Sequence, residues 1–359
     1  MNRSTFRTMM KVAGIAVAAS LFALGVPACG SSSVNESKTY LANANKFFGQ
    51  KQWESAIVEY DKAIEKYREN HLAWFGKGAS MYEKKEYDKS VEALGNAVQL
   101  APEQPVYQLV YGVSLYEKAV FDARKKQADA QGKKPEDITP DLNGVPFDEP
   151  LKHLLEAAKL NSDMWRAHYF LGKIYRDTDK PKEAADEFSK SLQANPREAG
   201  PYVALGEMYR KWDYTDQAIK VEQQAVANVC AAGGVCPESS DPWFVLGMGY
   251  DDKRQDKEAI DAFTKSLEGK KDNHKAKFQR GQAYFRSGDM ISAKKDLEEF
   301  SKQGGASAEF NKQQASKLLM DIAAKAAGAD HPTGSGTMKS PEDIVKGAKG
   351  GGPPPPKKK

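Results

Sequence analysis

Small and aromatic residues recur along the chain at a regular interval. The small residues are spaced by 34, 34, 60, 34, 41 and 34 positions, so four spacings share one period and two contain insertions of 26 and 7 residues. A period of this length is typical of repeat proteins, in which each unit buries its apolar face against its neighbours. The pattern predicts helix pairs whose first helices carry Ala44, Gly78, Gly112, Gly172, Gly206, Gly247 and Gly281.

Three segments contain the fullest versions of the repeated pattern. One has Trp243, Leu246-Gly247, Tyr250, Ala259 and Phe263. A second replaces the tryptophan with His168 and continues with Leu171-Gly172, Tyr175, Ala184, Phe188 and Pro196. In a third, Glu222 stands in place of the last aromatic residue, after Tyr202, Leu205-Gly206, Tyr209 and Ala218.

This pattern resembles the tetratricopeptide repeat. The resemblance implies an all-α fold, a right-handed superhelical solenoid of about seven helix pairs over residues 37–306. The amphipathic segment 307–328 is then the capping helix that such stacks require. Pro102 and Pro196 are expected to end second helices, because proline lacks a donor and clashes with the preceding turn. Arg68 and Lys271 occupy that position in two other repeats, where we expect the second helix to run further.

Two insertions interrupt the array, near 117–149 and 230–239. In the larger one, the first helix of the third repeat is predicted to continue to about Gln131. A proline-containing loop follows, and the second helix is expected to begin near Glu149. Long loops in compact repeats are either functional or disordered, and the sequence leaves both open.

The N-terminus is predicted to be a targeting segment rather than part of the fold. Residues 1–28 contain Arg3, Arg7 and Lys11 and then a fourteen-residue run of small and apolar residues, Val12 to Gly25. A membrane-spanning helix needs roughly 20 apolar residues, so the run predicts a signal peptide.

The residues that follow resemble a bacterial lipobox. Val26-Pro27-Ala28 precedes Cys29, and Gly30 and three serines follow it. The resemblance implies that Cys29 is lipidated, that residues 29–36 form a flexible linker, and that the protein is anchored to the outer membrane, facing the periplasm. An ordinary signal peptide with a chance cysteine is the alternative.

The other two cysteines, Cys230 and Cys236, flank a short loop that contains glycine. Outside the cytoplasm such a pair predicts a disulfide. Free thiols and a metal site are the alternatives, although two ligands are too few for structural zinc.

Charge is unevenly distributed. The formal net charge is +4, but the signal segment and the tail each contribute +3, which leaves the folded body at about −2. Such a body is a poor partner for a polyphosphate backbone, so we expect no nucleic-acid binding. The tail, 329–359, is rich in Gly, Pro and Lys and is predicted to be disordered.

No catalytic motif is apparent in the sequence. The five histidines are scattered without ligand spacing, and neither a nucleophile elbow, a zincin motif nor a phosphate loop occurs. We therefore expect no enzyme activity, no metal, no cofactor and no small-molecule substrate.

In tetratricopeptide stacks the inner face is lined mainly by five positions of each first helix. By this resemblance, the partner-binding groove has an apolar zone in repeats two and three and a basic zone in repeats four and five. The residues are Leu72, Phe75, Tyr82, Leu109 and Tyr116, followed by Arg166, Tyr169, Lys173, Arg176, Arg210 and Lys211. Alternatively, Phe75, Leu109 and Tyr116 pack beneath the insertion of repeat three.

These features suggest two functions. The first is a lipid-anchored scaffold that binds protein partners of an envelope machine, such as a pilus–secretin or gliding-motility apparatus. The second is a regulatory lipoprotein that contacts cell-wall material or activates a wall synthase.

Overall fold

The computed structural model describes residues 31–230, 236, 241–303 and 309–326. The predicted signal peptide, Cys29 and the 329–359 tail lie outside these residues. Within them the regular structure consists of fifteen α-helices and one 3-10 turn. The all-α fold of stacked helix pairs is confirmed. The chain divides into two compact units, the first ending at Pro196 and the second beginning at Arg197.

The first unit contains four helix pairs, and helices that are consecutive in sequence pack against each other. The eight helices are α1 (Ser31–Gly49), α2 (Trp53–Lys66), α3 (His71–Glu83), α4 (Tyr87–Leu100), α5 (Pro105–Gln131), α6 (Asp148–Leu160), α7 (Trp165–Asp177) and α8 (Pro181–Ala194).

The second unit contains three pairs and a last helix, which packs against the final pair. The pairs are α9 (Ala199–Lys211) with α10 (Thr215–Val229), α11 (Pro242–Asp252) with α12 (Asp256–Gly269), and α13 (His274–Ser287) with α14 (Met290–Gln303). The last helix, α15 (Glu309–Ala326), lies in the segment predicted to cap the stack.

The small residues of the first helices allow close helix packing, as the period predicts. A methyl group at Gly172 would lie 2.6 Å from the ring of Phe188, which is fully buried in the second helix of the same pair. Such a distance is shorter than a van der Waals contact, so only glycine permits this packing.

Two predicted helix extensions are wrong. α2 ends at Lys66 and α12 at Gly269, before the positions of Arg68 and Lys271. In both places the next helix begins five positions later, at His71 and at His274. The side chains of Asn70 and Asn273 accept hydrogen bonds from the backbone N–H groups of Ala73 and Ala276, which caps that helix.

The predicted linker is also partly wrong, because α1 already begins at Ser31. Contacts with α2 account for the helical conformation at this end. The Glu36 carboxylate lies 2.7 Å from Lys66 Nζ, and the buried Ser37 hydroxyl donates to the carbonyl of Ala63 at 2.7 Å. The first helix therefore begins six residues before position 37, and its contacts with α2 begin at Glu36 and Ser37.

A left-handed residue marks the turn inside six of the seven helix pairs. It always lies seven positions after the small residue of the first helix, at Lys51, Lys85, Asp179, Asp213, Arg254 and Gly288. A left-handed residue other than glycine costs roughly 1–2 kcal/mol. In the third pair the equivalent residue, Ala119, lies within α5.

The third pair instead carries the larger insertion, and its predicted helix ends are confirmed. α5 reaches Gln131 and ends at Gly132, whose φ is 61°. A 3-10 turn, Pro135–Asp137, follows. The Gln127 side chain fixes the returning loop, since it donates to the Asp141 carbonyl at 2.6 Å and accepts from its N–H at 2.8 Å. The insertion is thus folded back on its own helix.

Candidate protein-binding surface

The first helices of neighbouring pairs contact each other within each unit. In the first unit α1 contacts α3, α3 contacts α5 and α5 contacts α7; in the second, α9 contacts α11 and α11 contacts α13. Each unit thereby presents a surface built by first helices alone, called here the first-helix surface. It carries the side chains that the sequence assigns to partner binding.

The predicted apolar anchors of this surface are core residues. Phe75, Tyr82, Leu109 and Tyr116 are only 5, 7, 4 and 3% exposed. Phe75 stacks on Tyr107 with ring centroids 4.5 Å apart. These four side chains are therefore not available to a partner, and the groove prediction is wrong for them.

The alternative prediction, packing beneath the insertion, describes Tyr116 correctly. Its ring stacks on Phe147, the last residue before α6, at 5.4 Å. Leu142 and Val145 of the insertion belong to the same apolar cluster. Of the predicted apolar set, Leu72 remains half-buried on the surface.

Two of the predicted basic residues, Lys173 and Arg176, lie in a charge-balanced cluster. Lys173 Nζ is 4.5 Å from the ring centroid of Tyr116 and 3.7 Å from Glu117 Oε1. Burial lowers the pKa of Lys173, and Glu117 opposes this shift. Arg176 pairs with Asp177 at 2.8 Å. The positive charges are thus largely compensated within the unit.

Two further predicted residues flank this cluster. The guanidinium of Arg166 lies 4.5 Å from the ring centroid of Trp165, and its side chain is buried. The Tyr169 ring is half-buried and packs edge-on against Phe170, with centroids 5.4 Å apart. Arg166 is therefore a packing residue, and Tyr169 leaves part of its ring at the surface.

The remaining basic residues belong to the second unit. Lys211 is exposed. Arg210 is largely buried, and its Nε lies 3.7 Å from Glu222 Oε1 and 3.9 Å from Asp252 Oδ2. Phe244 and Met248 on α11 are half-buried. The surface of this unit thus combines apolar patches with both signs of charge.

Two polar core residues were not included in the predicted site. His168 replaces tryptophan and Glu222 replaces phenylalanine in the repeat pattern, and that departure is the signal that identifies them. His168 Nδ1 lies 2.6 Å from Glu187 Oε2, and Nε2 lies 2.9 Å from the Ser162 carbonyl. Because both partners are acceptors, the ring is satisfied fully only when both nitrogens carry protons.

The sulfur atoms of Cys230 and Cys236 are bonded to each other in the structure. Cys230 directly follows α10, so the disulfide closes a short loop that begins at the end of that helix.

Neither a metal centre nor a membrane span occurs in the described ranges. No three His, Cys, Asp or Glu side chains there are grouped so that they could hold an ion. No helix among the same residues combines the length and apolar character needed to cross a bilayer.

Known proteins with similar sequences contain helix-pair repeats. Residues 41–105 and 147–199 match the family model described as Tetratricopeptide repeat. A TPR repeat-containing protein of Methanocaldococcus jannaschii is 27% identical over 174 residues, which cover 46% of this chain and 31% of that protein. The match therefore spans about a third of the relative's length. Residues 41–105 and 147–199 are therefore similar to tetratricopeptide repeats, in agreement with the stacked helix pairs of the structure.

Solved structures resemble the chain at low sequence identity. A tetratricopeptide repeat protein from Parabacteroides merdae has a TM-score of 0.50 and 12% identity, covering 80% of this chain and 99% of its own. PilF from Pseudomonas aeruginosa has a TM-score of 0.46 and 15% identity, covering 79% and 99%. At 12% identity, the similarity to the Parabacteroides merdae structure shows the fold alone.

Proposed function

We propose that the chain is an exported, lipid-anchored scaffold that binds protein partners of an envelope machine, of the pilus–secretin or gliding-motility kind. The observation that carries this proposal is the run of seven helix pairs whose first helices lie side by side within each unit. Such surfaces recognise extended or helical segments of other proteins.

Two independent features support export. The residues around Cys29 have the lipobox pattern after a charged and then apolar segment. The bond between Cys230 and Cys236 is of a kind that persists in oxidising compartments. Together they favour anchoring at the outer membrane with the repeats in the periplasm.

The anchor is tested by replacing one atom. Cys29→Ser should abolish incorporation of labelled palmitate and prevent processing or membrane retention, because the serine oxygen cannot replace the thioether. The double variant Cys230→Ser, Cys236→Ser is the control and should remain lipidated. Quantitative membrane fractionation of processed Cys29→Ser protein would refute the proposed anchor.

Partner binding is tested on first-helix side chains that are not fully buried. Leu72→Ser on the first unit and Lys211→Glu on the second should each reduce recovery of proteins cross-linked to the chain in intact cells. Lys220→Glu, an exposed position on the second helix α10, is the matched control. If both surface variants recover the same proteins as the wild type, the first-helix surfaces are not the binding sites.

Sedimentation with isolated peptidoglycan distinguishes the scaffold from the alternative function, a lipoprotein that contacts cell-wall material. A scaffold should not sediment with isolated peptidoglycan, whereas a lipoprotein that contacts cell-wall material should. Sedimentation that survives removal of attached proteins would favour the second function over the first.

A further inference from the structure

Glu222 occupies a position that aromatic residues fill in other pairs. A methyl group at Gly247 in α11 would lie 2.5 Å from the ring of Phe263 in α12. In the preceding pair a methyl group at Gly206 in α9 would lie 2.8 Å from Glu222 Oε1 in α10. The carboxylate thus points into the tightly packed interior between two helices, where its equivalent is a phenylalanine.

The carboxylate has no hydrogen-bonding partner there. Glu222 is 1% exposed, and among the described residues neither of its oxygens accepts a hydrogen bond. Glycines lie against it on two sides, since a methyl group at Gly249 in α11 would be only 2.4 Å from Oε2. A carboxylate without donors in such a place is strongly disfavoured in its charged form.

Among the described residues one cation faces this carboxylate, and the same cation also faces Asp252. Arg210 Nε is 3.7 Å from Glu222 Oε1 and 3.9 Å from Asp252 Oδ2, both beyond hydrogen-bond length. Glu207 on α9 and Asp252 on α11 add negative charge near the site. The charged groups that face Glu222 from α9 and α11 are therefore one cation against two further carboxylates.

We propose that Glu222 is a proton-controlled switch in the second unit, whose ionisation loosens the packing of α10 between α9 and α11. With the carboxyl group neutral, the interior holds an uncharged side chain of suitable size. With the group ionised, a charge is confined where, within the described part of the chain, only the guanidinium of Arg210 compensates it, at a distance and shared with Asp252. The unit then gains by opening, because opening brings the carboxylate into water.

The direction of the pH dependence follows from the burial. Burial raises the pKa of Glu222 from 4.5 to about 8, Arg210 opposes the shift, and Asp252 and Glu207 reinforce it. In an opened state the Glu222 carboxyl ionises near pH 4.5, whereas in the closed state it stays neutral until about pH 8. The contribution of the neutral carboxyl to stability is therefore fully present below pH 4.5 and is lost as the pH rises to 8.

Hydrogen–deuterium exchange of the full chain tests this proposal. At each pH, the amides of α10 are compared between the wild type and Glu222→Gln, so that intrinsic exchange rates cancel. We expect protection in the wild type to fall relative to the variant by up to about tenfold per pH unit between pH 5 and 8, as one linked proton requires. Amides of α3 in the first unit should show no such difference.

Two more variants make the test specific. Glu222→Phe restores the aromatic residue of the repeat and should make α10 protection independent of pH beyond the intrinsic rate. Glu207→Gln removes a nearby exposed carboxylate and should retain most of the wild-type pH response. Equal protection in the wild type and Glu222→Gln from pH 5 to 8 would overturn the proposal.

A direct titration keeps the proposal testable if Glu222→Gln fails to fold. Carbon-13 NMR of the side-chain carboxyl in the wild-type protein should show Glu222 titrating well above the other glutamates. A Glu222 carboxyl that titrates with the exposed glutamates would equally overturn the switch.

Discussion

Phe147 packs on Tyr116 at the place in the repeat where Tyr87 packs on Tyr82, although the first contact is stacked and the second is edge-on. The ring centroids are 5.4 Å apart in the first pair of residues and 5.8 Å in the second. Yet Tyr82 and Tyr87 are five positions apart, whereas Tyr116 and Phe147 are separated by 26 more. The insertion therefore leaves the corner of the third helix pair intact and adds its residues outside it.

Excising the insertion should consequently leave a folded repeat. Removal of residues 121–146 joins Val120 to Phe147 and restores the five-position spacing between the two rings. This junction keeps a backbone N–H at the place where Glu86 donates to the Met81 carbonyl in the preceding pair. Ala119 then occupies the left-handed turn position of Lys85, so the variant should also carry Ala119→Gly, because glycine adopts that conformation without strain. We expect helical circular dichroism and a single cooperative unfolding transition for the first unit.

Phe147→Ala in the excised chain is the control, because it removes the ring that the design preserves. It should unfold at clearly lower denaturant concentration. If the excised chain is unfolded even with the ring present, the insertion is part of the core. If it folds but no longer recovers partners, the insertion carries the binding site.

Phe75 and Tyr116 should behave as core residues rather than as binding anchors. Each alanine variant should lower the free energy of unfolding by roughly 3–5 kcal/mol, the usual range for truncating a buried aromatic residue. Chemical denaturation followed by circular dichroism measures the loss. Leu72→Ala, at a half-buried position, should cost much less. If both aromatic variants are as stable as the wild type, Phe75 and Tyr116 are binding residues rather than core residues.

The His168–Glu187 pair should make the first unit most stable in mildly acidic solution. The hydrogen bond to Glu187 raises the pKa of His168, with burial opposing it. Although burial alone would raise the pKa of Glu187, hydrogen bonds from His168 and Lys190 lower it. The histidine contribution is present below pH 6.5 and is lost as the pH rises through the folded pKa. The glutamate contribution is present above pH 4.5 and is lost as the pH falls through its own.

Denaturation of the wild type and His168→Gln at several pH values measures this contribution. We expect the wild type to exceed the variant by about 1.5–3 kcal/mol near pH 5.5, the size of a charge-assisted hydrogen bond, and by less at pH 8.5. Lys159→Gln, which breaks an exposed pair with Glu156, should show little effect at either pH. A difference that does not vary with pH would mean that His168 acts through packing alone.

The Cys230–Cys236 disulfide should be present in protein isolated without reductant. Intact and peptide mass spectrometry should find both cysteines linked and unreactive toward alkylating reagents. Reduction should lower stability by about 2 kcal/mol, because the bond closes a short loop and restricts the unfolded chain. Alkylation of both thiols before reduction would contradict the bond and weaken the case for an oxidising compartment.

The periodic residues alone determined the helix pairs. Gly172 and Phe188 pack as their positions in the repeat require, and the long α5 and the start of α6 lie where the sequence places them. The packing of Gly172 against Phe188 follows from local spacing, since the repeat places a small residue and an aromatic residue at fixed offsets on two consecutive helices.

Only the tertiary structure decided which surface positions stay exposed and what becomes of polar residues inside the repeat. Phe75 is buried because Tyr107, from the next pair, covers it. His168 and Glu222 both replace aromatic residues, yet His168 meets Glu187 and Ser162, whereas Glu222 accepts no hydrogen bond among the described residues. The period of a repeat fixes where a side chain points, but a partner on another helix fixes whether its charge is compensated.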